Sequence, residues 1–200
     1  MSAATWDEFR RRLAAMPAAA PDDALLPTDP GRLRRAAVLV PLYEADGEVF
    51  LLLTRRTDTV EHHKGQISFP GGAADGDEDL RQTVLREVLE EVGIPETQVE
   101  ILGRLPDVDV VVSSYRVTPF VGIVPHPFPL APNPHEIVEL VRVPLAVFRD
   151  PANLRLEERE RAGRRYRVYV YAYGDHMIWG ATAQIVKHLV DLLAAPERPT

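Results

Sequence analysis

Residues 72–94 read GAADGDEDLRQTVLREVLEEVGI, and this stretch predicts one amphipathic helix between glycine-containing turns. We expect the helix to run from about Leu80 to Val92 and to end at Gly93, because glycine commonly ends helices. The apolar side chains of the stretch are Val84, Leu85, Val88 and Val92. At about 100° per residue they occupy one side of the helix, which is therefore expected to pack on a hydrophobic core.

Three glutamates share another side of this helix. Glu87 and Glu91 lie within about 40° of each other around the helix axis, and Glu90 lies about 60° further round. Like charges at this spacing destabilise a helix by only about 0.2–0.5 kcal/mol per pair, so a solvated acidic face is one interpretation. A site for a divalent cation is the other, because hard cations such as Mg²⁺ prefer oxygen ligands. The spacing alone leaves both interpretations open.

The residues around the glutamates complete a longer pattern, Gx(5)Ex(7)REUxEExGU, in which U is aliphatic. Its specified positions are filled by Gly72, Glu78, Arg86, Glu87, Val88, Glu90, Glu91, Gly93 and Ile94. The pattern is the Nudix box, so the chain resembles the Nudix family. The resemblance implies a single-domain α/β/α sandwich with a mixed β-sheet. It also implies hydrolysis of a nucleoside diphosphate linked to another moiety, with Mg²⁺ or Mn²⁺ as cofactor.

The resemblance implies roles for individual residues of the box. Glu87 and Glu91 are the expected metal ligands, and Glu90 shares ligation or acts as the catalytic base. Arg86 is expected to orient the glutamates through charge-assisted hydrogen bonds. Glu78 either props the loop before the helix or serves as a negative charge at the helix N-terminus.

The chemistry of a diphosphate explains why such groups are needed. Negative charge on the phosphate oxygens slows attack by water, so most of the catalytic help must be electrostatic. Bound cations supply it, and they also lower the pKa of a bound water. Gly71 and Gly72 allow the backbone to approach closely, and the carbonyl of Gly71 is a further candidate metal ligand.

Residues 52–72, LLTRRTDTVEHHKGQISFPGG, resemble a second pattern. It is the signature of the coenzyme A diphosphatase subgroup, LLTxR(S/A)x(3)Rx(3)Gx(3)FPGG. The resemblance implies that coenzyme A or an acyl derivative is cleaved into 3′,5′-ADP and (acyl-)4′-phosphopantetheine. Arg56 is then expected to clamp a substrate phosphate, and Gly71 and Gly72 are expected to contact the substrate as well.

The chain departs from the subgroup signature at two positions. Thr57 replaces serine or alanine, and Glu61 replaces an arginine and so reverses a charge beside a substrate with several phosphates. His62, His63 and Lys64 follow directly; we expect His63 and Lys64 to take over the phosphate contact, and a polar loop without a ligand is the alternative.

Two other functions are alternatives, and the mismatch at Glu61 supports the first of them. One is a Nudix hydrolase acting on ADP-ribose, a dinucleotide or a nucleoside triphosphate. The other is a Nudix-fold binding protein without turnover, although such a protein has no need to keep the carboxylates of the box, and this chain keeps them all.

Three residues outside both patterns are further candidates for the active site. Glu136 and Glu139 can offer a base or a ligand from outside the helix, and an ordinary exposed pair is an equally good interpretation. Trp179 can stack on an adenine ring, but we expect it to fill the core because large aromatic side chains usually do so.

The rest of the chain predicts a mixed sheet with few helices. Residues 1–34 are expected to form an N-terminal helix and a proline-rich linker, and residues 35–195 the Nudix domain. Within that domain, Asp46-Gly47 predicts the turn of a β-hairpin, and residues 182–195 predict a closing helix.

The composition excludes several classes of protein. The 200 residues are 46% hydrophobic and 26% charged, with no apolar run near the ~20 residues of a membrane span. A net charge of −7 argues against a broad nucleic-acid surface. The chain has no cysteine and its first residues lack an apolar secretory stretch, so we expect a cytoplasmic protein. Its partner is expected to be a small-molecule diphosphate, and a homodimer is compatible with the sequence.

Overall fold

The structure, a computed structural model, describes residues 3–14, 33–57, 65–110, 113–127, 131–161 and 164–195. In this part of the chain, four α-helices separate three groups of strands. The helices are α1 (Ala3–Ala14), α2 (Leu80–Val92), α3 (Leu145–Arg149) and α4 (Ala181–Ala194). The strands are β1 (Arg34–Ala45), β2 (Glu48–Arg56), β3 (Ile67–Ser68), β4 (Gly71–Ala73), β5 (Glu100–Arg104), β6 (Val108–Val110), β7 (Tyr115–Ile123), β8 (Ile137–Pro144), β9 (Leu154–Arg161), β10 (Arg164–Tyr173) and β11 (His176–Trp179).

The main sheet has eight strands and mixed direction. Its central path is β3-β2-β1-β7-β5, while β4 also pairs with β1, β6 with β7 and β8 with β2. The central pair β1 and β7 is parallel, and the other pairs are antiparallel. A second sheet has the order β11-β10-β9. The mixed sheet predicted from the sequence is therefore confirmed.

Helices cover both faces of the main sheet. On one face, the apolar stripe of α2 packs against Leu39 of β1 and Leu52 of β2. On the other face, α1 and α4 share a core in which Phe9, Leu13 and Leu189 are buried. This layering confirms the α/β/α sandwich, and it shows that the N-terminal helix packs on the same core as the closing helix. In the described residues, no helix is long and apolar enough to cross a membrane.

The local predictions near α2 are also confirmed. The helix begins at Leu80, where the side chain of Asp79 accepts hydrogen bonds from the backbone N–H groups of Arg81 and Gln82. It ends before Gly93, whose φ of 78° is left-handed. The hairpin turn lies at Asp46-Gly47 as expected.

Two adjacent arginines at the end of β2 point to opposite faces of the sheet, because successive side chains of a strand alternate between its two faces. Arg55 pairs with Glu139 of β8, but Arg56 pairs with Ile137, so β8 contains one extra residue, Val138, at this place. Such a β-bulge bends a strand and redirects neighbouring side chains. Here the bulge brings Arg56 opposite Ile137, while Arg56 lies on the face that α2 covers and Arg55 on the other face.

Candidate active site

Glu91 is the buried member of the glutamate set. Its side chain is only 3% exposed; Oε1 accepts a hydrogen bond from Nη1 of Arg56 at 3.1 Å, and Oε2 accepts one from the backbone N–H of Gly71 at 3.0 Å. Burial raises the pKa of Glu91 to about 7, although the hydrogen bond from Gly71 and the positive charge of Arg56 act to lower it. The interpretation of the glutamates as a solvated acidic face does not hold for this residue. Glu91 follows the buried Val88 by three positions and the buried Val84 by seven, and that spacing was a signal for its burial.

Glu87 is half-buried beside a glycine. Its Oε1 accepts a hydrogen bond from Nη1 of Arg86 at 2.8 Å. Burial raises the pKa of Glu87, and the bond from Arg86 offsets part of that effect. A methyl group added to Gly72 would lie 2.5 Å from the carboxyl carbon of Glu87. Glu87 can therefore occupy this position only because residue 72 has no side chain.

This contact gives a prediction for Gly72→Ala. The clash involves only the flexible end of the Glu87 side chain, so we expect the melting temperature to change little while the carboxylate is displaced. Activity should fall roughly tenfold to a hundredfold, as it does when groups that orient metal ligands are lost. Paired measurements of thermal unfolding and of kcat/KM on a diphosphate substrate test this. Wild-type activity in the folded variant would show that the position of the Glu87 carboxylate is unimportant.

Arg86 connects the helix to the loop that precedes it. Its guanidinium donates to Glu87, to Glu90, to both carboxylate oxygens of Glu78 and to the carbonyl of Ala73, at 2.8–3.3 Å. Hydrogen bonds from Arg86 and Thr83 lower the pKa of Glu78 to about 2. The same carboxylate accepts from the backbone N–H of Asp75. Glu78 therefore holds the loop before the helix, and Arg86 contacts both Glu87 and Glu90; that it orients them for catalysis stays a prediction.

Glu90 is the exposed member of the set. Its side chain is 55% exposed, and Oε2 accepts one hydrogen bond from Nη1 of Arg86 at 3.3 Å. The three glutamates thus occupy a buried, a half-buried and an open environment, in the order Glu91, Glu87, Glu90.

Arg56 lies between two carboxylates from different parts of the chain. Nη1 binds Glu91, and Nη2 lies 3.5 Å from Oε2 of Glu136. Nε is buried and has no hydrogen-bond partner among the described residues. The sequence predicted a phosphate contact for Arg56 but gave no sign that it would also pair with carboxylates of the enzyme.

Glu136 reaches the site through a loop segment that caps α2; we call residues 131–136 the capping segment. The carbonyl of Glu91 has no helical partner, because the residue four positions later is Pro95, which has no N–H. The backbone N–H of Asn133 supplies the missing bond at 2.9 Å, and that of Ala131 bonds to the next carbonyl, Val92, at 3.1 Å. This docking places Glu136 beside Arg56.

The two glutamates outside the box therefore occupy different places. Nδ2 of Asn133 donates to Glu136 at 3.2 Å and orients it within the site. Glu139 lies on the opposite face of the sheet, where it accepts a hydrogen bond from Nε of Arg55 at 2.8 Å and pairs with His176 at 3.2 Å. The structure therefore brings Glu136 close to the glutamates of α2 and separates Glu139 from them.

Trp179 corrects another expectation. It is half-buried at the end of β11 and belongs to neither core cluster; the guanidinium of Arg159 lies 4.3 Å from its ring centroid. The prediction that it fills the core was wrong, because β9 covers the ring with a cation instead of apolar side chains. Glu61, His63 and Lys64 lie outside the described residues.

The chemistry of the site fits a divalent cation. Three carboxylates lie within two turns of α2, and the raised pKa values of Glu87 and Glu91 mean that the arginines do not fully offset the cost of ionising them. In the described part of the chain, no three acidic or histidine side chains converge on one point, and Arg56 and Arg86 each bond to one of the carboxylates. A cation bound here would take over contacts that the arginines now make.

Comparison with known proteins identifies the family. The NUDIX domain model matches residues 33–165. The uncharacterized Nudix hydrolase NudL of Photorhabdus laumondii is 41% identical over 169 residues, covering 82% of this chain and 89% of the relative. NudL of Yersinia pestis is 43% identical over 157 residues, covering 78% of each. A MutT/nudix family protein from Enterococcus faecalis shares the fold, with a TM-score of 0.53 at 16% identity over 97% of this chain and 74% of that one. The chain belongs to the Nudix family and is a hydrolase that acts on pyrophosphate bonds.

Proposed function

We propose that the chain cleaves the diphosphate of coenzyme A or acyl-coenzyme A, in the cytoplasm, to 3′,5′-ADP and (acyl-)4′-phosphopantetheine. One observation carries this proposal: two residues of the coenzyme A signature that lie outside the Nudix box contact a box carboxylate directly. Arg56 and Gly71 bind Glu91, and Gly72 provides the space for Glu87. The residues that resemble the subgroup therefore belong to the same site as the residues that define the family.

The proposed cofactor is Mg²⁺ or Mn²⁺. Glu87, Glu90 and Glu91 are the proposed protein ligands, with the carbonyl of Gly71 as a further one. When bound, the cation supplies positive charge for the phosphate oxygens and lowers the pKa of the attacking water.

Side chains of the protein position the glutamates and accept the proton during hydrolysis. Arg86 holds Glu87 and Glu90 in position through bonds that also fix the loop. Glu90 shares ligation or accepts the proton of the attacking water, a role that suits the most exposed carboxylate of the three. Hydrolysis adds the water oxygen to one phosphorus and breaks its bond to the bridging oxygen, which leaves with the other phosphate.

A substrate panel tests this function. Coenzyme A, acetyl-coenzyme A, ADP-ribose, a diadenosine polyphosphate and a nucleoside triphosphate would each be incubated with Mg²⁺ or Mn²⁺, and the products identified by mass. We expect the highest kcat/KM on coenzyme A or its acyl derivative. A higher kcat/KM on ADP-ribose than on coenzyme A would contradict the proposal and favour an ADP-ribose hydrolase.

Dephospho-coenzyme A tests the replacement of the signature arginine. If His63 and Lys64 hold the 3′-phosphate, this analogue should be cleaved less efficiently than coenzyme A. Lys64→Ala should narrow the ratio of the two kcat/KM values, and Glu61→Arg should widen it by adding a bidentate phosphate partner. A ratio of one in the wild type, unmoved by either substitution, contradicts recognition of the 3′-phosphate.

A further inference from the structure

The guanidinium of Arg56 joins two elements that are far apart in sequence. Nη1 lies 3.1 Å from Oε1 of Glu91 on α2, and Nη2 lies 3.5 Å from Oε2 of Glu136 on the capping segment. The backbone N–H of Thr57 also donates to the carbonyl of Glu136 at 2.8 Å. The end of β2 is thus attached to the capping segment by both its backbone and its side chain.

The strand geometry supports this placement of Arg56. The bulge at Val138 shifts the register of β8, so Arg56 pairs with Ile137, the residue that directly follows Glu136. Only 24% of the Arg56 side chain is exposed, and its Nε is buried. A side chain that only had to reach a substrate phosphate would not need to be enclosed between two carboxylates of the protein.

We propose that Arg56 is a positioning residue that holds the carboxylates of Glu91 and Glu136 at a fixed separation. The planar fork of arginine makes this possible, because its two terminal nitrogens can each face one carboxylate. Arg56 thereby couples the docking of the capping segment to the orientation of the buried glutamate of α2. This inference extends the proposed function and rests on it, since the consequence for activity requires the site to be catalytic.

Arginine-to-lysine substitution separates this role from that of a phosphate clamp. Lysine keeps the positive charge but has a single ammonium group, which cannot face both carboxylates in the way that the fork does. We expect Arg56→Lys and Arg56→Gln to lower kcat by a similar factor, about tenfold to a hundredfold, the range typical of groups that orient metal ligands. KM should change little, and the factor should be the same for every diphosphate that is cleaved.

A double substitution provides a second kinetic test. If Arg56 acts through Glu136, then Arg56→Lys combined with Glu136→Gln should lose no more activity than the more damaging single substitution. A raised KM with unchanged kcat, recovery in Arg56→Lys, or losses that multiply in the double variant would each overturn the positioning role.

Amide hydrogen exchange tests the coupling without any activity. In the metal-free protein, peptides covering the capping segment should exchange about fivefold faster or more in Arg56→Lys than in the wild type, because the segment has lost its side-chain attachment to β2 and keeps only the backbone bond from Thr57. Arg55→Lys is the matched control, since Arg55 is adjacent but binds Glu139 on the other face of the sheet. Equal exchange in wild type and Arg56→Lys contradicts the inference. If the wild type cleaved no diphosphate, the proposed function would fail, and exchange would still decide whether Arg56 holds the segment.

Discussion

Glu91→Gln and Glu87→Gln are each expected to lower kcat/KM by more than about 100-fold, because groups that merely support metal ligands already contribute tenfold to a hundredfold. A neutral amide is a poor substitute for a carboxylate toward a hard cation. Both side chains already lie among hydrogen-bond donors, namely Gly71 and Arg56 for Glu91 and Arg86 for Glu87. The amide of Glu87→Gln keeps one oxygen for Arg86, whereas that of Glu91→Gln can accept from only one of Gly71 and Arg56. Losing one such bond costs about 1–3 kcal/mol, which is less than the stability of a typical domain, so the fold should be retained.

Steady-state kinetics at saturating Mg²⁺ provide the measurement for these two substitutions. Glu139→Gln is a suitable control because Glu139 is a carboxylate of the same domain on the opposite face of the sheet. It should retain wild-type activity. Near-wild-type turnover in both Glu87→Gln and Glu91→Gln would remove the basis for placing the cation at α2.

The second large effect is a pH-dependent gain in stability for Glu91→Gln in the absence of metal. Burial raises the pKa of Glu91 to about 7 in the folded protein, from the 4.5 that is usual for an exposed glutamate. Below the unfolded pKa the residue is protonated in both states and costs nothing. As the pH rises through the folded pKa, the folded state must ionise a buried group, and stability is lost by up to about 3 kcal/mol.

Denaturant unfolding with EDTA at pH 5 and pH 8 measures this effect. Glutamine does not titrate. The free energy of unfolding of Glu91→Gln minus that of the wild type should therefore be larger at pH 8 than at pH 5, which means that the variant gains stability relative to the wild type. Comparing the two proteins at each pH cancels the contributions of other titrating groups. A difference that is the same at both values would mean that Glu91 does not carry the raised pKa.

The sequence predicted α2 well because its determinants are local. The apolar stripe, the capping aspartate and the terminal glycine all lie within the helix or next to it, so Leu80, Val92 and Gly93 were assigned correctly. The burial of Glu91 was missed because it depends on contacts from Arg56, 35 residues earlier, and Gly71, 20 residues earlier. Spacing on a helix identifies which residues share a side, but the neighbouring sheet decides which of them meet solvent.

Strand β9 shows another limit of pattern reasoning. It reads LRLEERER, which lacks the alternation of apolar and polar residues that identifies strands. Within the described residues it pairs only with β10, so it lies at the edge of its sheet, where charged side chains oppose unwanted pairing. The position of Glu136 was equally hidden, since it depends on the capping segment bonding to the end of α2.

Titration of Mn²⁺ onto the substrate-free protein, followed by the electron paramagnetic resonance of the free ion, tests most directly whether the glutamates of α2 hold the cation. We predict that the wild type and Glu139→Gln bind Mn²⁺ alike, and that Glu87→Gln and Glu91→Gln bind it at least about tenfold more weakly. Equal affinity in all four proteins would contradict the account and place the metal site elsewhere in the chain.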